Sequence, residues 1–227
     1  MLKWNRLCRM LQIEGPMCRH QSTSFGEVQG ATMRVRRAFA CAPYSDMVFA
    51  MSILTALQLP IDWTAFGWPE TPMLGNVVLT TGDPKWAWAP TAPAFEVHTM
   101  EVPQGTAIPG FSVDHVVLLV PDLDTAISRF DRIGLSPRLK MRVQDRPAAF
   151  FRAGPVIEVI ESPVRQASIY GIAATFEDSL ESLTLAWRAK GLSVGDAKDA
   201  IQPGRRIMTV RDLDAGFAVM SPDRAKS

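Results

Sequence analysis

From Phe111 onward, apolar and polar positions fall into two regular periods. Val113–Val120 is an almost unbroken run of apolar, β-rich residues that stops at Pro121, the pattern of a strand covered on both faces. The segment LDTAISRFDRIG then spaces Leu123, Ala126, Ile127, Phe130 and Ile133 along one helical face. Asp122 or Asp124 is placed to cap it and Gly134 to end it. Strand-like segments follow at Arg138–Val143, Ala148–Ala153 and Val156–Glu161, giving the order β-α-β-β-β. The same order begins again at Ile169. It runs through a strand at Ile169–Phe176, a helix at Ser179–Lys190 closed by Gly191, and strands at Leu192–Val194, Arg206–Val210 and Gly216–Met220.

The spacing of landmarks supports a repeat. Asp122 lies seven residues after His115, and Asp178 seven after Gly171. The helix-ending glycines fall 19 residues after His115 and 20 after Gly171, and both fourth strands end in Ser-Pro, at Ser162-Pro163 and Ser221-Pro222. Two such units side by side bury surface that neither would bury alone.

The first half is less regular. The apolar run MVFAMSILTALQLPI reads as a packing helix capped by Ser45 or Asp46 and stopped by Pro60. It falls short of the roughly 20 residues needed to span a bilayer. Residues 60–110 are proline-rich and hold Trp63, Trp68, Trp86 and Trp88, with strands expected at Asn76–Thr81 and Phe95–Val102. Gly82-Asp83-Pro84 is the turn between them.

Composition changes the picture in one respect. With 47% apolar and 21% charged residues the chain is an ordinary globular one, and a net charge of +1 disfavours a nucleic-acid partner. That balance hides an asymmetry. Residues 1–40 hold seven basic and two acidic side chains, and the remainder 17 basic and 21 acidic. Cys8, Cys18 and Cys41 share the basic end, are odd in number and have no CxxC spacing, so they read as reduced thiols rather than a disulfide or zinc framework. The expected organisation is a poorly ordered basic extension over 1–44, an accessory helix and strands over 45–110, and the repeat over 111–222, with modules 111–163 and 168–222. A cytoplasmic location is expected, with an organelle as the alternative if residues 1–32, which resemble a transit peptide, are one. Met33 and Met47 are alternative starts.

The stretches DHVVLLVPDLDTAISRF, FFRAGPVIEVIES and GIAATFEDSLESL resemble the vicinal oxygen chelate superfamily, which includes glyoxalase I, methylmalonyl-CoA epimerase, extradiol dioxygenases and bleomycin-resistance proteins. KDAIQPGRRIMTVR followed by VMSP resembles a set of glyoxalase-like proteins in which a short segment precedes the paired modules. The resemblance implies an α+β fold in which paired βαβββ modules form a cup-shaped mixed sheet. It implies a divalent metal held by ligands from the first and fourth strands of each module, and pairing into a homodimer. In that pattern His115 matches the first-strand ligand and Glu158 the fourth-strand ligand of module one. In module two the corresponding positions fall at Gly171, beside Tyr170, and at Phe217 or Val219. Ala215–Pro222 contains no Asp, Glu or His. His98, sharing a strand face with Glu96 and Met100, is weighed as a third ligand, although nothing in its spacing demands that role. A catalytic metal usually takes three protein ligands, so the expected cofactor is at most one weakly held divalent ion, with no nucleotide, since neither a P-loop nor GxGxxG occurs.

The residues themselves add three readings. Glu158 shares a strand face with Val156 and Ile160, where an unpaired carboxylate is costly, so it calls for a partner, a metal or solvent. In SPRLKMRV, Ser136, Arg138, Lys140 and Arg142 alternate with apolar residues. If that basic face lines the cup, together with Arg152 and Tyr170, it selects an anionic ligand. Gln202–Arg206 reads as a turn that presents Arg205 and Arg206. Two functions remain open. One is a small-molecule-binding protein with an incomplete metal site. The other is a metal-dependent lyase or isomerase of the glyoxalase I or epimerase type, with Glu158 as general base and His115 as metal ligand or electrophile. A separation above about 6 Å between His115 and Glu158 excludes a shared metal, because ligand bonds run near 2.0–2.2 Å.

Overall fold

The computed structural model describes residues 51–223. The expected basic extension and the start of the accessory segment lie outside the described residues. Among the described residues no helix is long and apolar enough to cross a membrane.

Strand β1 (Ile53–Leu59) occupies the segment expected to be helical. Its run of apolar residues fits either period, and pairing decides between them. β1 is the central strand of a six-stranded sheet, parallel to β3 (Val77–Thr81) and antiparallel to β4 (Lys85–Ala89), with a bulge between Leu54 and Ala56. Short strands β2 (Pro72–Leu74), β5 (His98–Thr99) and β6 (Thr106–Ala107) complete the order β5-β4-β1-β3-β2-β6. The expected strand over Phe95–Val102 shrinks to the two residues of β5. Pro90, Pro93 and Pro103 around it have no backbone N–H to offer a ladder.

The eight-stranded sheet begins with β7 (Phe111–Val120). Helix α1 (Leu123–Asp131) is capped by the Asp122 carboxylate, which accepts from Thr125 N at 2.7 Å, and Gly134 turns the chain out at φ +78°. Strands β8 (Leu139–Val143), β9 (Arg146–Arg152) and β10 (Val156–Glu161) follow. The second module repeats this order with β11 (Ser168–Phe176), α2 (Leu180–Ala189), β12 (Lys198–Asp199), β13 (Arg206–Val210) and β14 (Gly216–Met220). In each module the first strand pairs parallel with the fourth, and the fourth antiparallel with the third. β7 and β11 join the modules antiparallel, giving β12-β13-β14-β11-β7-β10-β9-β8. This is the paired βαβββ cup architecture. One strand is displaced from its expected place: Val194 makes only an isolated bridge to Val210, and Lys198–Asp199 is the edge strand instead.

One face of the large sheet packs against both helices and the small sheet. Val116, Leu118, Ile157, Val159, Phe151, Ile172, Phe217 and Val219 meet Phe130 of α1, Trp187 of α2, and Leu57, Leu79 and Trp86 of the small sheet in one core. Phe130 stacks on Phe151 with ring centres 4.2 Å apart, and Trp63 meets Phe217 edge-on at 5.5 Å. Alternate residues of the same strands face the other way. There Val117, Leu119, Val143, Ala148, Phe150 and Ile160 form one apolar patch, and Ala173, Ile207, Ala218 and Met220 a second. This second surface is the cup face.

Candidate functional site

His115 sits on β7 opposite Val156 of β10 and opposite Ala173 of β11. Because side chains alternate, Glu158, two residues beyond Val156, shares its face. Both are almost wholly buried, at 4% and 2% exposure. His115 Nε2 lies 3.8 Å from Glu158 Oε2. That is too long for a hydrogen bond and short enough for one bridging group to touch both. The other Glu158 oxygen, Oε1, is buried and finds no hydrogen-bond partner among the described residues.

The opposite edge of the His115 ring is fully engaged. Pairing of β7 with β11 skips a residue between Ala173↔His115 and Ala174↔Val113, so Asp114 is the bulged residue. A bulge re-aims a side chain that a regular ladder would send to the other face. Asp114 Oδ2 stands 2.8 Å from His115 Nδ1. Its Oδ1 accepts from Thr175 Oγ1 at 3.0 Å and from Arg205 Nη2 at 2.8 Å. Arg205, 8% exposed, also donates from Nε to the Ser221 carbonyl and from Nη1 to Gln202 Oε1, each at 2.9 Å. The turn expected over Gln202–Arg206 thus folds one guanidinium inward onto module one. Asp114 and Thr175 went unnoticed in the sequence, where the acid inside the apolar run SVDHVVLL was the only signal.

Electrostatics follow from this arrangement. Burial pushes the Asp114 carboxyl up, but the hydrogen bond with His115 and the charges of His115 and Arg205 outweigh it and hold the group well below the usual carboxylate range. Burial pushes His115 down, yet the Asp114 hydrogen bond and the Glu158 and Asp114 charges win and raise it above its ordinary value, with Arg205 opposing. For Glu158 burial dominates and raises it, offset only in part by His115.

The remaining expected residues separate. Tyr170 falls at a second bulge of β11 and packs, half-buried, against the apolar patch of module one. Lys140 and Arg142 are exposed on the face opposite Leu139, Met141 and Val143, and those three are the residues turned toward the cup. The basic face is therefore the solvated one and does not line the cup: an edge strand buries its apolar side. Arg142 hydrogen-bonds the Asp145 carbonyl. Arg138 and Arg152 are exposed and line a shallow pocket of about 220 Å³ with Met51, Gly134, Leu135, Ser136 and Pro137. Glu161 caps α1, accepting from Leu123 N at 3.1 Å. His98 is exposed on β5, and its expected companion Glu96 accepts two hydrogen bonds from Arg129, so His98 does not join the cup.

The divalent metal expected from the resemblance can be tested against these residues, and His115 with Glu158 passes the pairwise distance test. Module two fails to complete the set. A Cβ on Gly171 would stand 2.1 Å from the Gly216 carbonyl oxygen, so no side chain fits where the first-strand ligand belongs. Register places Ala218, rather than Phe217 or Val219, on the cup face of the fourth strand. Phe217 and Val219 are locked in the opposite core. Among the described residues no group of three His, Cys, Asp or Glu is placed to hold a metal ion. The residues present do not fit a tight mononuclear site.

No protein-family model matches this sequence, and no curated protein matches it. Solved structures similar to it include a methylmalonyl-CoA epimerase from Mycobacterium tuberculosis, 19% identical with a TM-score of 0.41 over 50% of this chain and 89% of that one. A hypothetical protein from Bacillus halodurans is 15% identical with a TM-score of 0.42, over 50% of this chain and 96% of that one. A Streptomyces coelicolor methylmalonyl-CoA epimerase variant in complex with 2-nitronate-propionyl-CoA is 15% identical with a TM-score of 0.39, over 49% and 94%.

Proposed function

We propose that this chain is a glyoxalase-fold small-molecule-binding protein whose cup offers a carboxyl–imidazole pair in place of a complete metal site. The observation that carries the reading is Glu158 Oε1, a buried oxygen without a partner among the described residues, beside an imidazole nitrogen that is itself too far from the carboxyl to bond it. Such a group is costly unless something polar meets it. Around it stand Val117, Phe150, Ile160, Leu139 and Met141, so the complementary ligand is small, largely apolar, and carries one hydroxyl, carbonyl or amide. An anionic ligand has less support at this position. Arg205 is committed to Asp114, and Lys140 and Arg142 stand on the other face.

The test has two arms. Native mass spectrometry of the purified protein is expected to reveal a bound small organic molecule in wild type that is weakened in Glu158→Gln and His115→Ala. Equilibrium dialysis against zinc, manganese and nickel is expected to leave less than one ion per chain. A stoichiometric metal lost in both His115→Ala and Glu158→Ala overturns the reading.

A second reading, an isomerase acting next to a carbonyl, has its own observation. Burial raises Glu158 above its ordinary value, which strengthens it as a base, and His115 Nε2 would meet the carbonyl oxygen of the same substrate. Glu158 would take the carbon-bound proton while a protonated His115 donates to the developing enolate. Solvent-deuterium exchange into acyl thioesters and 2-oxo compounds, abolished by Glu158→Gln, is its expected signature. No exchange in wild type removes this reading and leaves the first.

A further inference from the structure

We propose that Arg205, supplied by module two, is a positioning residue for His115: through Asp114 it pins the Nδ1 proton, so that Nε2 is the only ring position open to Glu158 and its ligand. This rests on the reading of the cup given above.

The argument starts from geometry. His115 Nδ1 faces Asp114 Oδ2, and the second oxygen of the same carboxylate is held by Arg205 and Thr175. A carboxylate with one oxygen anchored cannot rotate its other oxygen away from the ring. The anchor is itself fixed, because the remaining guanidinium edges bond the Ser221 carbonyl and Gln202 Oε1. Thr175 also sits 3.2 Å from Arg205 Nη2, closing a small polar cluster around the Asp114 oxygen. The partner of a histidine's far nitrogen sets which nitrogen carries the proton and which does the work. Here that partner is a buried ion pair between residues 91 positions apart in the chain. The same turn of module two that lacks any metal ligand therefore contributes to the site by orienting the histidine of module one. Arg suits the task better than Lys because its planar fork makes several fixed bonds at once.

The test reads the proton directly and needs no ligand. With only three histidines in the chain, a His115→Gln sample assigns the His115 Nδ1–H resonance in 15N-histidine-labelled protein. Wild type is expected to show this proton downfield and slow to exchange with water. Arg205→Met is expected to lose it to fast exchange, and Arg205→Lys to restore it in part while thermal unfolding confirms that both are folded. An unaltered proton in R205M, or equal loss in R205M and R205K with equally lowered melting temperatures, overturns the proposal. Should R205M not fold, Thr175→Val carries the test, with faster exchange expected and unchanged exchange overturning it. A cup that binds no ligand in native mass spectra leaves this measurement intact, so the two ideas fail separately.

Discussion

Module one places His115 and Glu158 on the cup face of β7 and β10, whereas the matching places on β11 and β14 hold Gly171 and Ala218. Strand order and pairing are the same in both halves. What differs is the room left for a side chain at the first-strand position. In module two the backbone of Gly216 lies where a Gly171 side chain would have to start. Chemistry in module one and close packing in module two are thus alternative uses of one position. A βαβββ unit with this topology does not have to carry a ligand.

The strongest way to break that contrast is to restore the missing imidazole. Gly171→His must push aside backbone rather than a flexible side chain, so its cost belongs at or beyond the upper end of overpacking, about 3 kcal/mol or more. For a chain of this size that lowers the melting temperature by roughly 6 °C or more. Thermal unfolding reads the loss, and zinc titration is expected to show no gain in affinity. A stable G171H protein that binds zinc tightly would mean that the halves differ only by substitution and not by packing.

The next largest effect comes from removing the link between the halves. Asp114→Ala leaves the Arg205 guanidinium, 8% exposed, without its counter-charge. Breaking a buried pair costs about 3–5 kcal/mol, and since Asp114 is 20% exposed a cost of about 2–3 kcal/mol is expected in urea unfolding. A cost below about 0.5 kcal/mol would place the pair among surface ion pairs and detach module two from the site.

These two cases also mark where the sequence was readable. Helix α1 was legible because Leu123, Ala126, Ile127 and Phe130 recur at one period and all four are buried. β10, β13 and β14 were found at their observed limits because each is a short β-rich run bounded by turn residues. β1 was not, since its apolar residues satisfy both periods and its state is decided by β3 and β4, which come later in the chain. At the cup, the His115–Glu158 pair was implied by the resemblance, which matches the two residues to first- and fourth-strand positions. The Asp114–Arg205 contact could not be anticipated. It depends on a bulge that no periodicity announces and on a turn at the far end of module two.

A third, smaller effect concerns pH. Glu158 and His115 are both raised above their ordinary values of 4.5 and 6.5, so the folded state holds these protons more tightly than the unfolded chain does. Their contribution is complete below those values and is lost as pH rises through the folded ones. Asp114 has the opposite sign: it is lowered from 3.8, so its contribution is present above that value and fades on acidification. Glu158→Gln removes the carboxyl and with it one of the charges that raises His115. The stability of wild type relative to E158Q is therefore expected to fall as pH rises above the ordinary carboxyl value of 4.5 in urea unfolding. A difference that stays flat means Glu158 titrates as it does in the unfolded chain, and one that rises means its ionised form is stabilised by folding; either outcome removes the cup pair as described.

The smallest expected effect lies outside the cup and guards the comparison against a trivial explanation. If module one were chemically distinctive merely because β8 is basic, neutralising that strand would matter. Lys140 and Arg142 point away from Leu139, Met141 and Val143, stand exposed, and make no ion pair among the described residues. Exposed substitutions of this kind fall within about 0.5 kcal/mol. The double change Lys140→Ala and Arg142→Ala is therefore expected to leave the melting temperature within about 4 °C of wild type. Occupancy of the cup in native mass spectra is expected not to change. Loss of ligand in this variant, with stability intact, would transfer the binding role from the buried pair to the basic face. The distinction between the modules would then rest on surface charge rather than on what β7 and β10 hold between them.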